Sequence, residues 1–424
     1  MKTKAVRLYG KKDLRLEEFE LPAIKDGEIL AHIISDSICM SSYKASAQGS
    51  DHKRVPKDID KNPVIIGHEF CGEIVEVGAR WKHQFKHGQK FSIQPAITYD
   101  KAPVGVLSAP GYSYRYIGGD ATYIIIPEEV MSQGCLLGYD GDAYFKGSLA
   151  EPMSCIVGAF HANYHTTPGS YEHSMGIVKG GSMALLAGVG PMGLGAIDYA
   201  LHCDRRPSLL VVTDIDDARL QRAASIFSVE HAKKQGVTLK YVNTKTMEKP
   251  GVELMAMNGG RGYDDVYVFA PVAPVVEQGD TILGMDGCLN FFAGPTDPNF
   301  SAKFNFYNVH YAASHVVGTS GGNTADMIES LAMMGKSLID PATMVTHVGG
   351  LDAVVETTLH LPDIPGGKKL IYTNVSMPLT AINDFETKGK SDPFFAELAK
   401  LTAKNNGLWS TDAEKYLIAN AKKL

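Results

Sequence analysis

The sequence predicts an α/β protein of two domains, a mostly antiparallel β domain followed by a doubly wound parallel sheet. Three observations lead there. Short β-rich runs alternate with glycine turns ahead of Ala150. From about Ser182 onward, strand-like runs alternate with helical spacing. A glycine fingerprint, Gly188-Val189-Gly190-Pro191-Met192-Gly193, joins the first of those strands to the first of those helices. The length of 424 residues independently favours two cores over one.

Taken in order, Thr3–Leu8, Glu28–Ser35, Phe70–Val77, Lys90–Gln94 and Tyr123–Pro127 read as strands, punctuated by Gly78, Gly88 and Gly118-Gly119. The stretch Tyr99–Gly119 is rich in Gly, Pro, Tyr and Ser and reads as a long surface loop. Its Tyr112, Tyr114 and Tyr116 either line a cleft or pack the loop. In the second half, Met183–Ala187, Leu209–Thr213, Asp265–Phe269, Cys288–Ala293 and Val316-Val317 read as strands. Gly193–Leu201, Asp216–Ser225 and Thr324–Met334 read as helices. The tail from Met377 differs in composition. Asp392-Pro393 starts one amphipathic helix, and Thr411-Asp412-Ala413-Glu414 is a capping box for another. No chemistry is evident in it, so a packing arm is expected.

Composition excludes several classes. A net charge of −6 without a basic run argues against nucleic acid or an anionic membrane as partner. The opening residues lack the apolar core of a signal peptide and no run is long enough to span a bilayer, so a cytoplasmic protein is expected. Cys39, Cys71, Cys135, Cys155, Cys203 and Cys288 are dispersed and form no CxxC, which argues against a disulfide framework.

Two constellations carry chemistry. In the fingerprint, Gly188 permits a tight turn, Gly190 a close approach of backbone to a pyrophosphate, and Gly193 close packing of helix on strand. Pro191 and Met192 open the helix whose N-terminus receives the phosphates. Asp214 ends the next strand, where a carboxylate binds ribose hydroxyls and repels a 2′-phosphate. NAD(H) is therefore expected in preference to NADP(H). The second constellation is Cys39, Gly67-His68-Glu69 and Glu151-Pro152, a thiol, an imidazole and carboxylates ahead of a dinucleotide fold. That is the donor set of a catalytic zinc.

These motifs, in this order, resemble the zinc-dependent medium-chain dehydrogenase/reductase superfamily, and most closely its polyol dehydrogenase branch. The likeness runs from the N-terminus to about Tyr372 and includes Gly119-Asp120-Ala121-Thr122-Tyr123. It implies a GroES-like catalytic domain over 1–158, a Rossmann NAD-binding domain over 159–314, a return to the catalytic domain over 315–375 and a helical extension over 376–424. It implies one catalytic zinc held by Cys39 and His68, with Glu69 or Glu151 completing the sphere, and a proton relay that begins at Ser41. Lys44 stands where relatives often carry a histidine, so the outer relay differs. The absence of cysteine between Cys71 and Cys135 implies no structural zinc. The resemblance also implies reduction of a sugar phosphate, L-sorbose 1-phosphate, to D-glucitol 6-phosphate, by a homodimer or homotetramer paired near Asn290–Pro295. Lys44, Lys53, Arg54 and Arg115 are candidates to meet the phosphate. Competing readings are a dehydrogenase of an unphosphorylated polyol, and a non-catalytic nicotinamide-binding protein with a vestigial metal site.

Overall fold

Strand Ile29–Ile38 organises the first half of the chain. In the computed structural model, which describes residues 1–167 and 169–424, it is buried along most of its length. It pairs antiparallel with Cys71–Val77, Tyr123–Ile126 and Lys368–Tyr372. Successive side chains of a strand point to opposite faces, and one face here carries Ile29, Ala31 and Ile33 into a core with Phe70, Ile74, Phe91 and Ile124. The sheet has eight strands, seven on its main path and Tyr123–Ile126 off it beside Ile29–Ile38, and among the described residues its one parallel pairing joins Val345–Gly350 to Lys368–Tyr372. A three-stranded sheet of Asp13–Glu20, Lys2–Gly10 and Val64–Ile65 accompanies it. Two compact units result, Met1–Glu151 with Asn323–Leu424, and Pro152–Gly322.

The stretch Tyr99–Gly119 is not the surface loop its composition suggested. Ala109, Tyr112, Tyr114 and Ile117 are buried, because the aromatic rings supply apolar area that outweighs the turn residues around them.

In the second unit, six parallel strands lie in the order Thr238–Asn243, Leu209–Asp214, Ser182–Leu186, Tyr263–Val268, Leu283–Phe291, His315–Gly318. The order reverses beside Ser182–Leu186, so the first strand in sequence is central and the crevice at its carboxyl end is the ligand position of such sheets. Ser182–Leu186 is buried throughout, as a strand covered on both faces requires. One expectation is corrected: Leu283–Phe291 is flanked by Tyr263–Val268 and by His315–Gly318, so the region beginning at Asn290 offers no free pairing edge. The two edge strands of this sheet are Thr238–Asn243 and His315–Gly318.

The tail folds onto the first unit. Helix Pro393–Lys404 begins at Asp392, whose carboxylate accepts from Phe394 N–H at 2.9 Å. The last helix, Thr411–Asn420, starts one residue earlier than the box Thr411–Glu414 implied. Ser410 is its cap, accepting from Ala413 N–H at 3.2 Å. Glu414 is thereby turned inward, where it accepts from the Tyr144 and Phe145 amides at 2.6 and 2.8 Å and from the Tyr372 hydroxyl at 2.9 Å. Trp409, fully buried, donates its indole N–H to the same Tyr372 oxygen at 2.8 Å. The chain end returns to the body, with Val375 bridged to Lys423 and Leu424 N–H donating to Asn374 O. Among the described residues, no helix is long and apolar enough to cross a membrane.

Burial raises the Glu414 carboxyl to about 7, against the partly offsetting amide and Tyr372 hydrogen bonds. Its folded value lies above its unfolded one, so the fold holds a proton that the unfolded chain has lost. The associated stability is present at low pH and declines as pH rises towards 7. Glu414→Gln removes this titration. The stability deficit of that variant, measured by urea denaturation, should therefore be larger at pH 5 than at pH 8. A deficit independent of pH would contradict the assignment.

Candidate active site

Helix Met40–Gln48 begins at Cys39, which occupies the N-cap without a side-chain capping bond. Its sulfur is thus left for other partners at the positive end of the helix dipole, a position that favours thiolate. The thiol donates to Ser41 Oγ at 3.7 Å. Burial holds this thiol above its ordinary range while Lys368 works in the opposite direction.

His68 and Glu69 follow Gly67, whose φ is +90°. A Cβ there would lie 2.3 Å from Asp36 Oδ2, and a Cβ at Gly119 would lie 2.5 Å from Asp36 Oδ1. Both glycines are therefore required by the close passage of Asp36, whose Oδ1 accepts the Glu69 amide at 3.1 Å. Asp36 sits beside Asp120. Burial and mutual repulsion hold Asp36 well above the carboxylate range, and burial lifts Asp120 to about 7. At least one proton thus resides on this pair near neutrality.

The donor atoms of Cys39, His68 and Glu69 all lie within 4.8 Å of one another. His68 is buried, with Ser42 Oγ 3.4 Å from Nδ1 and the Tyr112 hydroxyl 3.2 Å from Nε2. Burial holds His68 below its usual range, so the imidazole is neutral, the form that binds metal. Glu69 Oε1 is paired with the Lys368 ammonium, and Glu69 Oε2 is buried without a hydrogen-bond partner. Burial alone would raise Glu69, but Lys368 and His68 outweigh it and keep the carboxyl below its ordinary value. An orphaned carboxylate oxygen beside a thiol and a neutral imidazole is a donor set that fits zinc.

Glu151 lies in the first turn of helix Ala150–Ala162 and is buried. It stands outside the three-atom group, yet near enough to feel it: burial lifts it to about 7, His68 lowers it, and Glu69 and Cys39 raise it. Ser41 stands beside Cys39. Lys368, Asp36 and Asp120 join the site from outside the residues the sequence offers for it, whereas Tyr112, one of three tyrosines that either line a cleft or pack the loop, meets His68. The one signal for Lys368 was a pair of lysines opening the apolar run Lys368–Tyr372.

In the second unit, Gly188 and Gly190 occupy the turn between Ser182–Leu186 and helix Pro191–His202, and Gly193 lies in the first turn of that helix. Gly190 is the N-cap and Pro191 the first helical residue, where its missing N–H costs nothing. Met192 follows it in the first turn. A Cβ at Gly193 would fall 2.2 Å from Gly188 O, so the turn and helix are in contact through bare backbone. A Cβ at Gly190 would meet only Arg219 Nη2, at 3.4 Å, which leaves backbone open to a ligand. Asp214 ends strand Leu209–Asp214, and its Oδ1 accepts the Ile215 and Asp216 amides at 2.9 and 3.1 Å. Arg219 Nη1 is 3.7 Å from the same oxygen. The glycine turn, the helix N-terminus and the terminal carboxylate fit a dinucleotide.

Residues 25–134 match the alcohol dehydrogenase GroES-like domain family. The chain is 56% identical over 416 residues to mannitol-1-phosphate 5-dehydrogenase of Aliivibrio fischeri, covering 98% of this chain and 97% of that protein. It is 50% identical over 420 residues to L-sorbose 1-phosphate reductase of Klebsiella pneumoniae, covering 99% and 98%. The chain belongs to the medium-chain zinc dehydrogenases. Its fold is that of (2R,3R)-butanediol dehydrogenase from Bacillus subtilis, with a TM-score of 0.68 at 20% identity over 88% of this chain and all of that one. As a medium-chain dehydrogenase homologous to polyol and alcohol dehydrogenases it is an oxidoreductase acting on a small molecule.

Proposed function

We propose that this dehydrogenase reduces L-sorbose 1-phosphate to D-glucitol 6-phosphate with NADH and one catalytic zinc. The observation that carries the chemistry is the gathering of the Cys39, His68 and Glu69 donors within 4.8 Å, in a chain that also holds a dinucleotide turn. When bound, zinc supplies Lewis acidity to a substrate oxygen and the nicotinamide supplies hydride. Cys39 and His68 would hold the metal, with Glu69 or Glu151 as the third donor. Ser41, beside Cys39, would pass the proton to or from the substrate oxygen. Lys368 fixes the orientation of Glu69 through its Oε1. Gly188, Gly190 and Gly193, with Pro191 and Met192, would seat the pyrophosphate, and Asp214 the ribose.

The sugar phosphate follows from the relative that shares half of its residues with this chain. The relative named for mannitol 1-phosphate favours a second reading, in which the product is another hexitol phosphate. An unphosphorylated polyol is the third. NADH oxidation should be followed with L-sorbose 1-phosphate, fructose 6-phosphate and their unphosphorylated sugars, with a chelator control. The first should give the highest kcat/KM, and chelation should abolish it. Equal rates with and without phosphate would remove the phosphate from the proposal, and full activity after metal stripping would remove the zinc.

Asp214→Ala tests the coenzyme. It should raise KM for NADH by roughly tenfold, the effect of losing a charge-assisted hydrogen bond, while KM for NADPH changes less. Retained discrimination between the two would place the preference elsewhere. We further propose a homodimer or homotetramer paired through the edge strand His315–Gly318, the edge next to the expected Asn290–Pro295 region, and light scattering would test the oligomeric state.

A further inference from the structure

Beyond the metal donors, the first unit gathers cations around one aromatic ring. Tyr112 touches His68 through its hydroxyl, and the two rings lie 4.8 Å apart. On the same tyrosine, the His52 ring stacks at 5.9 Å with only 10° between planes. The Arg54 guanidinium carbon is 5.8 Å from the Tyr112 ring centre. Thus His52 and Arg54 are one ring removed from a metal-binding imidazole. Lys44 is on the helix that begins at Cys39, half-buried, and its charge reaches His52 together with those of Arg54 and Lys53.

The cluster is built rather than incidental. Arg54 is held by the segment Tyr99–Gly119: its Nη1 donates to Leu107 O at 3.0 Å, and Ser113 Oγ donates to Arg54 O at 2.6 Å. The Arg54 amide donates to His52 Nδ1 at 3.3 Å, so the proton of the neutral ring is on Nε2, available as a donor. Burial and then the neighbouring cations push His52 down to about 4. Among the described residues, neither Lys53 nor Arg54 has a carboxylate within ion-pair distance. The Lys53 and Arg54 charges, both acting on His52, repel one another, and a bound dianion converts that repulsion into attraction. Arg115, the other candidate, is exposed and packs on Tyr116 instead.

We infer that Lys44, His52 and Arg54, with Lys53 at the rim, form the subsite for the phosphate of a phosphorylated sugar or polyol. The inference rests on the proposed reading of the metal-side chemistry and adds to it which residues select the substrate. The shared chemistry is a phosphomonoester dianion, whose sources are the sugar phosphate, free phosphate or a coenzyme 2′-phosphate.

The test measures kcat/KM for L-sorbose 1-phosphate and L-sorbose in the wild type, Arg54→Met, Arg54→Lys and Lys44→Met, each holding its metal, with inorganic phosphate as inhibitor. The preference for the phosphorylated sugar should fall by about 10- to 100-fold in Arg54→Met and in Lys44→Met, the effect of one charge-assisted contact. The change should lie mainly in KM, and Arg54→Lys should keep more of the preference. The inhibition constant for inorganic phosphate should rise in parallel. A wild type that prefers the phosphorylated sugar, with variants that keep both that preference and phosphate inhibition, would overturn this subsite alone. A wild type without any preference would overturn the phosphorylated-substrate reading first. A rise in KM confined to NADPH would assign the cations to the coenzyme and also overturn the subsite.

Discussion

His68→Ala is expected to lower kcat/KM by about 10³-fold or more and to leave the purified protein with far less than one zinc per chain. The magnitude follows from the several kcal/mol that a metal contributes to charge stabilisation in a transition state, at 1.36 kcal/mol per factor of ten. His68 is buried, neutral and within 4.8 Å of two further donors, so its removal leaves a thiol and a carboxylate that no longer surround an ion. Ser41→Ala is the informative contrast. It touches Cys39 and leaves the three donors in place, so kcat should fall by about 10²-fold with metal content unchanged. Elemental analysis and steady-state kinetics on the same preparations separate the two. Stoichiometric zinc in His68→Ala would take that residue out of the ligand set.

Lys368→Met should produce the largest loss of stability of any single change considered, about 3–5 kcal/mol, the cost of leaving one partner of a buried ion pair uncompensated. Glu69 and Lys368 are 1% and 6% exposed in their side chains, so water does not screen the orphaned carboxylate. Burial works against the ammonium, yet Cys39, Glu69 and Glu151 hold it above its ordinary range, so it is charged throughout the working pH range. The double variant Glu69→Gln/Lys368→Met should recover most of the loss, since a neutral pair needs no counter-charge. Urea denaturation of the two single variants and the double in metal-free protein gives the coupling directly. Additive losses would mean that each side chain acts through other contacts.

The sequence made most of the frame legible because the frame is local. Val211 and Val212 in Leu209–Asp214, or Ile29 and Ala31 in their strand, announce themselves through runs of apolar residues, and Gly188, Gly190 and Gly193 through fixed spacing. Cys39, His68 and Glu69 were readable for another reason: their side chains belong to few other roles in combination. What remained hidden depends on pairing between distant strands. Lys368 reaches Glu69 across 299 positions because Lys369 is registered opposite Ile38, next to Cys39. Asp36 and Asp120 look like two ordinary polar residues until the Gly67 and Gly119 turns bring them together. Tyr112 was half legible, as one of three tyrosines set to line a cleft or pack the loop, while glycine and proline around it suggested a surface segment that ring burial ruled out. Glu414 had a local explanation as a capping residue, and a tertiary contact with the Tyr144 and Phe145 amides took precedence over it.

The return of the chain end to the body, through Val375 with Lys423 and Leu424 with Asn374, bears on how the protein can be handled. A purification handle fused after Leu424 would have to leave from a residue packed against the apolar cluster of Val6, Ile38 and Val354.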